Sequence, residues 1–172
     1  SSPLADALAL VDGWDVPNVA AAALDASTPS APALHGPVDH ILPLASVTKL
    51  LTAYGCLVAV EEGTLDLDAP AGEPDGCTVR HLLAHAGGYG FDTGPLQAPG
   101  RKRIYSNTGF DALADHLAER SGMAAHAYVA AAVVEPLGMV ATSVEGSLAH
   151  GATSTVADLS RFAAELLAPT LI

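Results

Sequence analysis

Charge is scarce in this 172-residue chain, and positive charge is scarcest: seven Lys and Arg stand against nineteen Asp and Glu, a formal net charge of −12. A protein that neutralises a run of phosphates needs a basic stripe, so nucleic-acid binding is excluded, and an anionic membrane surface would repel the chain. Long hydrophobic runs are missing as well. Uncharged stretches such as Leu50 to Val60 fall well short of the roughly 18 apolar residues that span a bilayer, so no membrane segment is expected. The opening residues, SSPLADALALVD, have no basic region and place Asp6 and Asp12 where a secretory apolar core would run, which reads as an untargeted chain. Cysteine is limited to Cys56 and Cys77. Two are too few for a disulfide framework and these lie too far apart for a CxxC motif, so they are expected as free thiols, in keeping with a reducing compartment.

Against these absences, half the residues are hydrophobic and 15% are charged, a globular balance that argues against disorder and fibrous repeats. The length suits one domain of about 150 residues. Periodicity predicts a helix over Ser2 to Asp12 closed by Gly13, then two strands of a hairpin, Asn18 to Asp25 and Ala33 to Leu44, the second interrupted by Gly36 and Pro37. A helix follows from Val47 to Glu62, apolar on both sides and so expected to be buried all round. Thr78 should cap a short helix, VRHLLAHA, stopped by Gly87 and Gly88. Tyr89 to Arg103 reads as irregular, and helices return at Thr108 to Ser121, Ala124 to Glu135 and Thr155 to Leu167. This count leaves too few strands to cover so many helices, since a two-stranded sheet is marginal alone.

Chemistry concentrates first at Ser46-Val47-Thr48-Lys49, at the start of the apolar helix. Residues three apart share a helix face, so the Lys49 ammonium can fold back onto the Ser46 hydroxyl, a poor nucleophile until a base takes its proton. The positive end of the helix dipole would favour an oxyanion at this point. Lys49 could act as base only if burial or a nearby cation lowered its pKa. The plain alternative is an N-cap serine followed by an ordinary helical lysine.

A second group, Tyr105-Ser106-Asn107, lies between the irregular stretch and a helix, where three side chains could point from a loop into a cleft. A phenol can relay a proton and a carboxamide can hold a substrate amide or ester. His81 and His85, four apart on a helix, lack the glutamate of HExxH and a third ligand; a structural role at the Gly87 loop is expected instead of a metal site. Arg101, Lys102 and Arg103 read as a solvated loop that could also attract a carboxylate. Gly55 should permit close helix packing, and Trp14 and Tyr89 are expected to be packing residues.

Taken with LASVTKLLTA around Ser46, the segments TVRHLLAHAGGYG, IYSNTGFDALADHLAERSG, VVEPLGM and GATSTVADLSRFAAELL occur in one order over most of the chain. In these the sequence resembles the serine β-lactamase and penicillin-binding protein superfamily, most closely its class C-like branch, which includes DD-peptidase and esterase members. The resemblance implies an α+β fold of the β-lactamase/transpeptidase type, with an antiparallel sheet flanked by the first and last helices. Residues 1–52 and 150–172 would form parts of the sheet domain and 53–149 a helical subdomain. It implies Ser46 as the acylated nucleophile, Lys49 as its partner, Tyr105 as general acid/base and Asn107 as a substrate-binding amide, with no metal or cofactor.

The implied function is a serine hydrolase that forms an acyl-enzyme on an amide, β-lactam or ester carbonyl of a small-molecule or peptide substrate. The alternatives are a sensor or penicillin-binding homologue that acylates without turnover, and an inactive fragment of a split protein. One departure bears on this choice. The family's third motif, a Lys, His or Trp followed two residues later by Gly on an edge strand, is absent before Ile172; His150-Gly151 precedes the last helix and does not replace it. The expectation is therefore a truncated chain whose sheet is incomplete and which is completed by a C-terminal segment beyond Ile172. With no leader and two free thiols, the bacterial cytoplasm is favoured over secretion.

Overall fold

The computed structural model describes residues 3–172; Ser2, where the sequence reading begins the first helix, lies outside them. From Pro3 the chain forms helix α1 (Pro3–Leu8), tightens into a 3₁₀ turn (Ala9–Gly13), and continues through β1 (Ala21–Ala23) and β2 (Ala33–His35). Strand β3 (Leu42–Pro43) leads by a 3₁₀ turn (Ala45–Val47) into α2 (Thr48–Glu61). After a loop come α3 (Val79–Leu83), α4 (Asn107–Ser121), α5 (Ala125–Val129) with a following π turn (Ala130–Val134), β4 (Thr153–Ser154) and α6 (Val156–Leu167).

The expected hairpin forms with antiparallel register Ala21↔His35, Ala22↔Leu34, Ala23↔Ala33, and it touches both α1 and α6. The expected second strand, however, is not continuous to Leu44. Gly36 turns to φ 78°, and a Cβ there would lie 2.5 Å from the Val19 carbonyl oxygen; Pro37 follows and has no N–H for a ladder. Beyond this break, Leu42 and Pro43 pair instead with Ser154 and Thr153. Among the described residues there are thus two separate two-stranded sheets, less sheet than one antiparallel layer spanning the helices would need.

Helix α2 forms the centre. Leu51, Cys56 and Ala59 are fully buried, and Tyr54 meets Phe162 of α6 edge to face with ring centres 5.5 Å apart. Burying a leucine such as Leu51, Leu113 or Leu117 contributes about 1.5–3 kcal/mol. Gly55 packs as expected, since a Cβ there would sit 3.1 Å from Val129 Cγ2. The expectation of burial all round fails along one strip, where Leu50 is 55% exposed and Glu61 is exposed. The helix ends at Gly63, φ 76°, whose N–H returns to the Val60 carbonyl.

Other ends follow the sequence closely. Thr78, Ser106 and Thr155 cap α3, α4 and α6 with their hydroxyls, accepting from the N–H groups of His81, Gly109 and Asp158. Helix α3 is shorter than expected, because His85 leaves helical geometry at φ 57°. The helix expected to run to Glu135 is regular only to Val129 before widening into the π turn. Trp14 is 62% exposed and does not pack as expected, whereas Tyr89 is buried, its hydroxyl accepting from the Glu73 N–H. Both cysteines are free and buried, and burial pushes the Cys56 thiol up to about 12. No helix among the described residues is long and apolar enough to cross a membrane.

Candidate active site

The short β3–β4 ladder sets up the turn that carries Ser46. Leu44 N–H donates to the Ala152 carbonyl, Ala152 N–H to Thr48 Oγ1, and Val47 N–H back to the Leu44 carbonyl. Ala45 is bent to φ 45°, a conformation that costs an L-residue roughly 1–2 kcal/mol. Its effect is to present Ser46 on the surface one turn before the buried Thr48 and Lys49. Ser46 makes no side-chain cap to α2, so the plain N-cap reading of this serine is set aside.

Lys49 is only 4% exposed, and its stem lies among the core while its Nζ donates to three acceptors. These are Asn107 Oδ1 at 2.7 Å, the Ala149 carbonyl at 2.8 Å and Ser46 Oγ at 3.3 Å, which match the three N–H bonds of an ammonium. The same Nζ sits 4.7 Å from the centre of the Tyr105 ring and 5.8 Å from that of Phe110, within reach of a cation–π attraction.

All four residues singled out in the sequence therefore meet. Ser46 and Lys49 come from the α2 junction; Tyr105 and Asn107 come from the segment that opens α4. The Tyr105 phenol, partly exposed, lies at this junction. The Ser46 hydroxyl beside it, with the charges of Lys49 and Arg103, outweighs partial burial and holds Tyr105 below the ordinary tyrosine range. Since Ser46 Oγ accepts from Lys49, its own O–H is free to point at the phenol.

Ser106, by contrast, turns away from the cleft: its hydroxyl donates to the Gly90 carbonyl at 2.6 Å and accepts from the Gly109 N–H. It shapes the loop that holds its neighbours. Arg101, Lys102 and Arg103 are exposed as expected. His81 and His85 do not bond the Gly87 loop through their side chains. His81 Nδ1 meets Thr78 Oγ1 at 3.0 Å, and His85 Nδ1 accepts from the Ser106 N–H at 3.0 Å. Among the described residues no group of His, Cys, Asp or Glu is arranged to hold a metal ion.

Two contributors escaped the sequence reading. Asp92 Oδ1 accepts from Asn107 Nδ2 at 2.7 Å. This leaves Oδ1 as the amide atom facing Lys49, so the carboxylate fixes which way the amide points. The Ala149 carbonyl, one hundred residues from Lys49, completes the ammonium's partners. Neither leaves a sequence signal, because an exposed Asp in a Gly-rich loop and a backbone carbonyl look like any other.

A family model described as β-lactamase matches residues 10–171. Among solved structures, a β-lactamase from Mycobacterium bovis is 47% identical with a TM-score of 0.92, the match covering 96% of this chain and 61% of that one. A D-alanine carboxypeptidase from Burkholderia cenocepacia is 24% identical with a TM-score of 0.79, covering 94% of this chain and 63% of that one. A D-stereospecific amidohydrolase from Streptomyces is 22% identical with a TM-score of 0.77, covering 94% and 71%. These last two share the fold. No curated protein matches the sequence at a significant level. With a family match over nearly all its length, and with helices gathered round incomplete antiparallel sheets in that family's arrangement, the chain belongs to the β-lactamase family of serine hydrolases.

Proposed function

We propose that this protein is a serine hydrolase that acylates Ser46 with a carbonyl substrate and releases the acyl group to water. The observation that carries the reading is the single ammonium of Lys49, bonded to both Ser46 Oγ and Asn107 Oδ1 beneath the Tyr105 ring. In this reading Tyr105, as phenolate beside the Lys49 cation, takes the Ser46 proton as Oγ bonds the substrate carbonyl carbon. The oxyanion forms at the N-terminal end of α2. When the C–N or C–O bond to the leaving group breaks, Tyr105 returns the proton to that group. Water then attacks the acyl carbon, gives its proton to Tyr105, and Ser46 is released with its proton restored. Asn107 holds the substrate's amide or ester, and Lys49 holds the charge balance throughout.

The substrate class is an amide, β-lactam or ester carbonyl, in line with the β-lactamase, carboxypeptidase and amidohydrolase names of the similar structures. Residues 53–149 act as a helical subdomain over a sheet domain made of 1–52 and 150–172, with Ser46 in the cleft between them. None of the four strands described carries a Lys, His or Trp followed two residues later by Gly.

Intact mass spectrometry after incubation with a penicillin or a fluorophosphonate is expected to show one adduct, located on Ser46 and absent from Ser46→Ala. No adduct on the full-length protein, or one that survives in Ser46→Ala, sinks the assignment. A burst followed by steady turnover marks a hydrolase, whereas an adduct that persists marks an acylation-only binding protein. A smaller effect is expected from Asp92→Ala, which frees the Asn107 amide to rotate. Losing one hydrogen bond of about 1 kcal/mol lowers the acylation rate constant about fivefold, and Asp92→Asn, which keeps an acceptor oxygen, should stay near wild type. Equal rates for Asp92→Ala and wild type would remove Asp92 from the site.

A further inference from the structure

His85 has no part in the chemistry just described, yet its backbone is held at φ 57°; with Ala45 it is one of two non-glycine residues in the left-handed region among those described. Outliers of this kind persist where the surroundings over-determine them. Here the surroundings are the Tyr105 segment. The His85 carbonyl accepts from the Ile104 N–H at 2.8 Å, and its Nδ1 accepts from the Ser106 N–H at 3.0 Å. The residues on either side of Tyr105 are thus both tied to one residue twenty positions earlier. The imidazole also lies against Tyr105 itself, ring centres 4.5 Å apart at 34°, and against Phe110, 4.9 Å apart at 30°.

We propose that His85 is a positioning residue for Tyr105, a clamp that sets the phenol against Ser46 and Lys49 without touching the reacting atoms. The proposal rests on the role given to Tyr105 above. The clamp needs an unprotonated Nδ1, with the ring proton on Nε2. Burial first, then the charges of Arg103 and Lys49, push His85 down to about 4. The groups facing the ring are those two cations, the Tyr105 phenol and the uncharged Phe110 of α4. The left-handed backbone is part of the device: it turns the carbonyl toward Ile104 while the side chain reaches Ser106, which a helical residue continuing α3 would not do.

Two variants of the full-length protein test this. His85→Ala removes the acceptor and the ring. His85→Asn suits a left-handed backbone and places Oδ1 at the same bond separation from the backbone as Nδ1, but lacks the ring. The readouts are the acylation rate constant, the melting temperature, and the titration of Tyr105 by ¹³Cζ-tyrosine NMR without substrate, assigned with Tyr105→Phe. In His85→Ala the acylation rate constant is expected to fall about 10- to 100-fold, as for a catalytic group misplaced by about 1 Å. The Tyr105 titration should rise toward the ordinary tyrosine value of about 10. His85→Asn should recover at least half of each change.

A purely structural role would lower the melting temperature and leave the Tyr105 titration where it is, and that result overturns the proposal. If His85→Ala does not fold, His85→Asn decides: a titration near wild type supports the clamp, and one at the ordinary tyrosine value overturns it. The two readings fail separately. If wild type forms no adduct while the variants still move the titration, the hydrolase assignment falls and the clamp stands. If wild type and both variants acylate equally with one common titration, the clamp falls and the assignment stands.

Discussion

Replacing Lys49 with alanine is expected to lower the rate constant for acylation of Ser46 by about 10²- to 10⁴-fold, the range a positioned proton-transfer group supplies. Three losses act together. Ser46 Oγ loses the donor that leaves its own hydrogen pointed at Tyr105; Asn107 Oδ1 and the Ala149 carbonyl lose their partner; and the phenol loses a cation that holds it below the ordinary tyrosine range. The last loss has a sign that can be read separately. If Tyr105 works as a phenolate, the rate rises with pH as the phenol ionises, so removing the Lys49 charge moves that rising limb to higher pH. Arginine is not expected to rescue, because its planar fork does not place one compact cation among three acceptors. Methionine keeps the bulk of the stem and separates lost charge from lost packing. Stopped-flow acylation with a chromogenic β-lactam or ester measures the rate. An alanine variant that folds and acylates at the wild-type rate removes Lys49 from the mechanism.

The part of this site that the sequence reveals is the part built from short spacings. Ser46 and Lys49 are three apart, and Tyr105 and Asn107 are two apart next to a capped helix, so each pair is fixed by local geometry that residue types announce. What joins the pairs is long-range: Lys49 to Asn107 spans 58 residues and Lys49 to Ala149 spans 100, and no local pattern encodes such a distance. The same division runs through the fold. The cap at Thr78 is read from a single side chain. By contrast, the transfer of Leu42–Pro43 to a second sheet depends on Ser154 and Thr153 arriving beside it. His85 is the instructive case. At i and i+4 with His81 it looks like a structural helical histidine, but Gly87 and Gly88 follow, and the chain leaves the helix before them. Its position at the Tyr105 loop comes from the fold, not from the heptapeptide around it.

Glu165 illustrates the opposite kind of misreading, a residue that passes for an exposed helical charge and is 4% exposed. One oxygen accepts from Tyr54 Oη and from the N–H groups of Thr170 and Leu171, each at 2.7 Å, and the other accepts from Thr170 Oγ1 at 2.7 Å. The carboxylate therefore joins α2, α6 and the residues after α6 at one point, next to the Tyr54–Phe162 contact. Glu165→Ala is expected to destabilise the protein by about 3 kcal/mol, because a buried phenol and two buried-side N–H groups lose a charged acceptor. At about 2–4 °C per kcal/mol for a domain of this size, the melting temperature should fall by about 6–12 °C. Glu165→Gln keeps one acceptor oxygen and should lose about half as much. The pH dependence follows from the same contacts. Burial opposes ionisation, but the bonds from Thr170, Tyr54 and Leu171 outweigh it and hold Glu165 below the ordinary carboxyl range. Its contribution is then complete above the unfolded-state carboxyl pKa and is lost as pH falls through the lower native value. Thermal melts of wild type and Glu165→Ala from pH 7 down into the acid range should accordingly converge. A constant gap between the two curves, or a drop of less than about 2 °C at pH 7, would show that the carboxylate does not hold this junction together.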